Sequence, residues 1–561
     1  MLLRSLPKTP PNPIAGSCPG APAPPVWYSV EWRNCEEFRL KRLGAVSFCL
    51  LLSLLSYLKF PGHAWLQQDT QIYIPILENL ADPSVLANDL VVRHPHVAFT
   101  LYDELVIGLR SVTGADFHAI LTVLAVVFRA AGCGGVWLIA SSLGLESMAS
   151  PLVPLLWSLG ATISGPAVLT VEYEPVPRGF ALPLLMLAVG LAAHGRWRWS
   201  GIAAGLALMF HPPTVYPYLL VVLLGRRTRC WAPLAVSAAV LFVSAHVQSG
   251  IREPQQFLTQ LTPALEQLQR LRGSYNWIST WPQDIIGQYL FEFCLAMLAA
   301  WRLKDSMPAH LKPFALGLPA VGLVSMPLSY LFLERLKWSL MPQLQPMRAL
   351  VWISAMAVIL ASVAGCRAAR DRRLAESFAW FVLPWLLPMR TRLFAETPLV
   401  QVGICLGFAL LSVAGVRWPR LRLAPVALAA FWVLPSFAGA RLIPNLHSPE
   451  LAALSAWARG ATPKSAVFLF ADNGRDNYPG IFRAEALRAV YVDWKSGGQV
   501  NFLPAFADEW WRRWRKVNPS PGTRADYSGI DYLVYAAPKR PAGRVVLFQN
   551  SKYAVVRNWD K

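Results

Sequence analysis

Long apolar runs recur along almost the whole sequence, and they constrain the fold more than any other feature. A helix that crosses a bilayer needs about 20 mainly apolar residues. Only 15% of the residues are charged, whereas a soluble protein has about 25%. The runs are 43–58, 118–142, 149–171, 179–193, 200–225, 230–248, 285–301, 313–333, 349–365, 376–389, 398–415 and 423–440. The sequence therefore predicts a polytopic α-helical membrane protein.

The basic residues indicate how these runs are oriented. The formal net charge is +20, a value that would also suit a nucleic-acid-binding protein. Here, however, the Arg and Lys residues stand in short clusters between the apolar runs, which is the pattern of cytoplasmic loops. The clusters are Arg196/Arg198, Arg226/Arg227/Arg229, Arg302/Lys304/Lys312, Arg367/Arg370/Arg372/Arg373 and Arg417/Arg420/Arg422. We therefore exclude nucleic acid as a partner and place these clusters in the cytoplasm.

Two segments cannot be ordinary single spans if all the basic clusters are to lie on the cytoplasmic side. Run 200–225 has basic clusters near both ends, so we predict two short helices that turn at His211; one ordinary span that violates the charge rule is the alternative. Segment 97–112 carries Asp103, Glu104 and Arg110, so we predict an amphipathic helix in the outer interface. The result is about 13 spans, with a cytoplasmic N-terminus and an extracytoplasmic C-terminus.

The composition divides the chain into three parts. Residues 1–40 are rich in Pro and are predicted to be a disordered cytoplasmic tail. Residues 41–440 form the transmembrane domain, with a first outer loop at 59–117 and a second at 250–284. Residues 441–561 are predicted to form a small extracytoplasmic α/β domain. Its predicted strands are 466–470, 489–494, 532–536, 545–548 and 553–556, and its predicted helices start at Ser448-Pro449 and cover 501–517.

Asp69, in the first outer loop, is the predicted catalytic residue. It follows the first span closely enough to meet a substrate held at the lipid headgroups, and a carboxylate there can take the proton of an acceptor hydroxyl. The alternative is that Asp69 caps the helix that follows it. Arg178 and Arg348 are predicted to stabilise a departing phosphate. Their alternatives are an ion pair of Arg178 with Glu172 or Glu174, and a snorkelling Arg348 at a span start.

Further polar residues are predicted to complete the site. Asp89 replaces Asp69 as the base if Asp69 proves unsuitable, and His211 either contacts substrate or ends a helix. A divalent cation, Mg²⁺ or Mn²⁺, held by Asp69 with Glu172 or Glu174 is an open alternative, because hard cations prefer carboxylates. The predicted substrate-binding residues are Asp89, Glu172, Glu174, Arg178, His211 and Arg348.

With an acidic residue at Asp69 and a long outer loop at 250–284, the sequence resembles the GT-C superfamily of multi-span glycosyltransferases. The resemblance implies a GT-C-like membrane domain, a polyprenyl-phosphate sugar donor and, usually, an inverting transfer. Asp69 is followed by Thr70 rather than by a second acidic residue, which puts a metal requirement in doubt. The tail, with Phe482-Arg483 and the segment 490–495, resembles those of uncharacterised bacterial multi-pass proteins, which implies no activity.

The resemblance implies transfer of a sugar to an envelope glycan, lipid or protein acceptor at the outer face of a bacterial inner membrane. The runner-up is a transporter or flippase for lipid-linked glycans. Transporters usually bury ionisable residues inside their spans. Here Arg129 is the clearest mid-span charge while the acidic residues cluster outside, which favours chemistry at the surface over transport. A third interpretation is a non-catalytic assembly factor for envelope polysaccharide.

Overall fold

The computed structural model describes residues 43–59, 61–97, 99–145, 150–163, 165–166, 168–225, 230–248, 258–386, 398–418 and 445–558. The predicted tail 1–40 and the predicted last span 423–440 lie outside these residues. The chain divides into a small unit, residues 1–47, and a large one, residues 48–561. All contacts reported below belong to the large unit.

Apolar helices dominate the described part of the chain before residue 418. Four of the described helices are long and apolar enough to cross a membrane: Phe117–Ser142, Gln283–Arg302, Lys312–Arg335 and Met341–Arg370. The predicted membrane protein is therefore confirmed, while the number of spans and their direction stay predictions. The main helices are α1 (Leu43–Leu58), α2 (Thr70–Ala81), α3 (Leu90–Arg93), α4 (Tyr102–Thr113), α5 (Phe117–Ser142), α6 (Leu152–Ser158), α7 (Pro177–Ala193), α8 (Trp197–Phe210), α9 (Pro212–Leu224), α10 (Trp231–Gln248), α11 (Pro263–Arg272), α12 (Gln283–Arg302), α13 (Lys312–Ser329), α14 (Met341–Leu344), α15 (Val351–Arg370), α16 (Leu374–Leu386) and α17 (Pro398–Arg417).

The predicted span 149–171 is wrong. Its described residues form the seven-residue helix α6 and then two short antiparallel strands, β1 (Thr162–Ile163) and β2 (Val168–Leu169). Gly160 and Gly165 adopt positive φ angles of 73° and 106°, which only glycine adopts without strain and which end a right-handed helix. Apolar composition alone could not distinguish this broken segment from a helix.

Segment 200–225 is two helices that meet at His211, as the charges predict. The side chains of Ser200 and Tyr218 lie 2.6 Å apart at their oxygens, so α8 and α9 fold back on each other. Segment 97–112 contains α4, which has 12 residues and is too short for a bilayer core roughly 30 Å thick. Its position in the interface stays a prediction.

Close packing of helices forms the centre of the membrane part. A Cβ at Gly135 of α5 would lie 2.3 Å from the backbone of Met186 in α7, so these helices are in backbone contact, as small residues allow in membranes. Arg129 of α5 is buried and donates to the Gly62 carbonyl at 3.0 Å and the Glu172 carbonyl at 2.6 Å. This mid-span charge therefore joins three segments of the fold.

The C-terminal sheet region comprises residues 445–558. Its five strands are β3 (Val467–Phe470), β4 (Ala489–Val490), β5 (Tyr532–Ala536), β6 (Val546–Gln549) and β7 (Tyr553–Arg557), in the order β4-β3-β5-β7-β6. The pairs β3–β4 and β3–β5 are parallel, and β5–β7 and β6–β7 are antiparallel. The helices are α18 (Pro449–Ala461), α19 (Tyr478–Ala486) and α20 (Pro504–Val517). The predicted mixed α/β region and the Ser448 cap, which accepts from the Leu451 amide, are confirmed.

Candidate functional site

The site begins where the chain enters α2, immediately after the first apolar helix. Glu174 caps this helix from a distant loop, because its carboxylate accepts the amide protons of Gln67, Gln68 and Thr70 at 3.0, 2.7 and 3.0 Å. A carboxylate is favourable there, because the first amides of a helix have no internal partner and carry a partial positive charge. Glu174 therefore holds the backbone on both sides of Asp69 in place.

Asp69 itself does not cap α2, since its side chain accepts no hydrogen bond from the described backbone of that helix. Its two oxygens bind two cations instead. Oδ2 lies 2.7 Å from Nη1 of Arg178, and Oδ1 lies 2.7 Å from Nζ of Lys495. The Asp69 side chain keeps 29% exposure. The capping alternative is therefore wrong, because cations and not helix amides engage both oxygens of Asp69; its catalytic role stays a prediction.

Arg178 joins Asp69 to Glu172. It stands in the first turn of α7, one residue after Pro177, whose fixed φ suits a helix start. While Nη1 faces Asp69, Nε of the same guanidinium lies 2.6 Å from Oε1 of Glu172. A Cβ at Gly179 would lie 3.1 Å from that of Glu172, so the small residue permits this approach. The predicted Arg178–Glu172 ion pair is thus present, and it is shared with Asp69.

Lys495 reaches the site from the C-terminal sheet region, on the segment that follows β4. Asp493, two residues earlier, accepts the amide proton of Ser496 at 3.0 Å and pairs with Arg483. The indole of Trp510 donates to the Asp493 carbonyl at 3.0 Å. These contacts fix the backbone that carries Lys495, whose own side chain is 15% exposed.

The two cations determine the charge state of Asp69. Burial alone would raise the pKa of Asp69, but the charges and hydrogen bonds of Lys495 and Arg178 outweigh it and hold that pKa well below its usual range. Burial and the nearby Asp69 charge raise the pKa of Glu174. A general base works best with a pKa near the working pH. With both cations in place Asp69 is therefore ionised but weakly basic.

Arg348 supplies a further cation whose guanidinium has no hydrogen-bond or ion-pair partner within the described part of the chain. It belongs to a short 3-10 turn, Pro346–Leu350, just before α15. Its Nε is buried and unsatisfied, and the charges of Arg178, Asp69 and Glu172 act on it. An unpaired buried donor costs free energy unless a ligand satisfies it. The described residues therefore leave Arg348 without a counter-ion, and its role as a phosphate ligand stays a prediction.

His211 lies in the same neighbourhood. It stands between α8 and α9, and its Nδ1 is 2.7 Å from the Thr214 hydroxyl. The charges of Arg348 and Arg178 act on its ring, so the predicted helix end also borders the site. Its contact with substrate stays a prediction.

Asp89 is placed differently from the other predicted residues. It has 0% exposure and binds Nε of Arg483 at 2.7 Å, with a further bond from the Val490 amide at 2.9 Å. It also caps α3 through the Val91 amide. A carboxylate enclosed and saturated in this way cannot reach a substrate. We therefore correct the predicted role of Asp89 from substrate binding to structural support.

The described residues do not fit the divalent cation that the sequence left open. Among them there is no group of three His, Cys, Asp or Glu side chains that could hold a metal ion. Arg178 occupies the position between Asp69 and Glu172, and Glu174 is engaged with backbone amides. Mg²⁺ and Mn²⁺ would need these carboxylate oxygens as ligands, and here other groups of the protein already engage them.

Comparison with known proteins gives a short family match and loose structural similarities. Residues 449–517 match a domain of unknown function, DUF6798. No curated protein sequence matches the chain.

Two of the similar solved structures are ArnT from Cupriavidus metallidurans, in the apo state and bound to undecaprenyl phosphate. The identities are 12% and 13%, the coverages are 94% and 93% of this chain and 98% of ArnT, and the TM-scores are 0.40 and 0.41. A third is the archaeal oligosaccharyltransferase AglB from Archaeoglobus fulgidus, in complex with an inhibitory peptide and a dolichol-phosphate. Its identity is 12%, its coverage is 88% of this chain and 69% of AglB, and its TM-score is 0.39.

At these identities and TM-scores the likeness is only approximate, and the resemblance to GT-C glycosyltransferases stays a prediction from the sequence. The overlays are too loose to transfer any residue or activity to this chain. The matched domain of unknown function contains Lys495, the one residue of the charged cluster that the sequence did not predict. The segment Val490–Lys495 was conspicuous in the sequence, but its partner Asp69 lies 426 residues away.

Proposed function

We propose that the chain is a membrane glycosyltransferase that takes a sugar from a polyprenyl-phosphate donor at the extracytoplasmic face. The acceptor class is an envelope glycan, lipid or protein. One observation carries the proposal: Arg348, which has no hydrogen-bond or ion-pair partner within the described part of the chain, is close enough to the Arg178–Asp69 pair to feel the charges of both. The guanidinium of Arg348 can donate parallel hydrogen bonds to phosphate oxygens, and Arg178, whose N–H groups already bind Glu172 and Asp69, adds positive charge.

The proposed reaction needs only residues of this cluster. The acceptor oxygen attacks the anomeric carbon of the sugar while the bond from that carbon to the phosphate oxygen breaks. The electron pair of that bond leaves with the phosphate, whose growing charge Arg178 and Arg348 stabilise. Asp69 takes the proton of the acceptor hydroxyl.

A binding measurement tests the phosphate site without knowledge of the sugar. Undecaprenyl phosphate is titrated into the purified protein in lipid nanodiscs, and binding is followed by native mass spectrometry. A hydrogen bond to a charged group contributes about 1.5–3 kcal/mol, so Arg348→Gln should weaken binding roughly 10–100-fold. Arg335→Gln is the matched control, because Arg335 is exposed and stacks on Tyr330. Equal binding by both variants would refute the phosphate site.

Membrane orientation is part of the proposal. The basic cluster at Arg417 precedes the predicted last span, so residues 441–561 are expected outside the cytoplasm of a bacterial inner membrane. A reporter enzyme that works only outside the cytoplasm should be active when it is fused after Lys561. If a reporter that works only in the cytoplasm is active at this position instead, the orientation and the proposed face of the reaction are contradicted.

A transporter or flippase for lipid-linked glycans is the second candidate, and one residue favours it. Glu292 of α12 has 0% exposure, and neither carboxylate oxygen has a hydrogen-bond partner among the residues that the structure describes. Ionisable groups buried inside spans often mark a transport pathway. Glu292→Gln should abolish movement of a labelled polyprenyl phosphate across liposomes if this candidate is right. A transferase should tolerate the change.

A further inference from the structure

We infer that Lys495 is an exchangeable counter-ion: it pairs with Asp69 in the absence of donor and turns to the donor phosphate when the donor binds. The exchange releases Asp69 to accept the acceptor proton. The inference rests on the proposed function, and it assigns the C-terminal sheet region a direct part in donor binding. Lys495 would then be a phosphate ligand supplied by a part of the chain far from the membrane helices in sequence.

The backbone that carries Lys495 is held firmly, while the described hydrogen bonds and ion pairs of its side chain involve only the terminal ammonium. Asp493 binds Arg483 and the Ser496 amide on one side. On the other side, a Cβ at Gly497 would lie 2.4 Å from the Trp510 ring, so this segment is tightly packed. A lysine ammonium, in contrast, is a point charge on a flexible stem with three rotatable donors. A swing of the side chain is enough to change its partner.

Two cations bind the carboxylate of Asp69, and one of them is shared with Glu172. Arg178 already binds Oδ2 at 2.7 Å, and Lys495 adds a second cation at Oδ1. The next oxygen near Nζ of Lys495 is that of the Gln68 side chain at 3.5 Å, a weak contact. A phosphate seated on Arg178, which binds the other oxygen of the same carboxylate, would bring charged oxygens close to the ammonium of Lys495. It would therefore compete with Asp69 for the ammonium.

The simpler interpretation is that Lys495 only anchors the C-terminal sheet region to the first outer loop. Other contacts already do this. Lys464 binds Asp82 at 3.3 Å and the Ser84 hydroxyl at 2.8 Å, and Arg483 binds the buried Asp89. Lys464 joins the same two parts of the chain with the same chemistry, but at an exposed position away from the cluster. Lys464→Gln is therefore the matched control for Lys495→Gln.

The test measures binding of undecaprenyl phosphate to the full chain in nanodiscs for the wild type, Lys495→Gln, Lys495→Arg and Lys464→Gln. We expect Lys495→Gln to bind roughly 10-fold or more weakly, Lys495→Arg to recover most of the affinity, and Lys464→Gln to bind like the wild type. Thermal unfolding of each variant shows whether the fold is retained. With any sugar donor that is accepted, the Lys495→Gln defect should appear mainly as a raised KM for the donor.

The outcomes separate the two proposals. If the wild type binds and Lys495→Gln binds equally well, the exchange is wrong while the phosphate site stands. If Lys495→Gln and Lys464→Gln lose affinity to the same extent, Lys495 is an anchor and the exchange is also wrong. If the wild type does not bind the lipid phosphate at all, both proposals fail.

Discussion

Nε of Arg483 lies 2.7 Å from Oδ2 of Asp89, and these two side chains are 1% and 0% exposed. The same guanidinium also binds Asp493. Asp89 belongs to the first outer loop, whereas Arg483 and Asp493 belong to the C-terminal sheet region. This buried pair therefore sets the position of the segment that carries Lys495 to Asp69.

Removing one member of the buried pair should destabilise the protein strongly. Arg483→Gln leaves Asp89 and Asp493 without their counter-ion, and breaking a buried pair in this way costs roughly 3–5 kcal/mol. We expect a clearly lower unfolding temperature in nanodiscs and faster proteolysis of residues 445–558. Arg512→Gln, at an exposed position of α20, is the control. Equal unfolding temperatures for both variants would show that the pair does not secure this region.

The cap on α2 should be needed for the site as well as for the helix. Glu174→Ala leaves three amides without their acceptor, and each buried donor left unsatisfied costs about 1–3 kcal/mol. The entry of α2 and the backbone of Asp69 should then shift. We expect lower thermal stability together with weaker binding of undecaprenyl phosphate. If the variant is less stable but binds undecaprenyl phosphate normally, Glu174 stabilises the helix and is not needed for binding.

Arg178→Lys should impair the site although the charge is retained. A lysine cannot bridge Asp69 and Glu172 with separate nitrogens of one planar group, and the lost charged hydrogen bond contributes about 1.5–3 kcal/mol. The expected result is roughly 10–100-fold weaker lipid-phosphate binding. Wild-type affinity in this variant would mean that a single charge at this position is sufficient.

One contact of the C-terminal sheet region should respond to pH. His447 Nδ1 lies 3.4 Å from Glu485 Oε1, and this bond raises the pKa of His447. A raised pKa in the folded state means that the contact stabilises the protein fully below the unfolded value, near 6.5, and that this contribution is lost as pH rises through the folded value.

The difference in unfolding temperature between the wild type and His447→Gln should therefore be larger at pH 6 than at pH 8. A difference that is independent of pH would contradict the assignment. Glu485→Gln should reduce the dependence, because it removes the charge that favours protonated His447, while the Trp65 carbonyl, 2.7 Å from His447 Nε2, remains.

The sequence predicted those features that local patterns determine. Apolar runs predicted most of the helices of the membrane part. Basic clusters predicted the break at His211. The position just after the first predicted span indicated Asp69 as a candidate. The sequence missed Lys495 and misjudged Asp89, because both roles depend on pairing between the first outer loop and a region about 400 residues later. It also misjudged 149–171, where glycines at positive φ end the helix while the composition remains apolar.

The central claim is that Asp69 is the base of a sugar transfer from a lipid phosphate. The most direct measurement is transfer by the purified wild type and Asp69→Asn from a panel of polyprenyl-phosphate sugars, with undecaprenyl phosphate binding measured in parallel. Asparagine keeps the size of the side chain and removes the base, so transfer should fall roughly 10²–10⁴-fold while lipid-phosphate binding is retained. Near-normal transfer by Asp69→Asn would contradict the account.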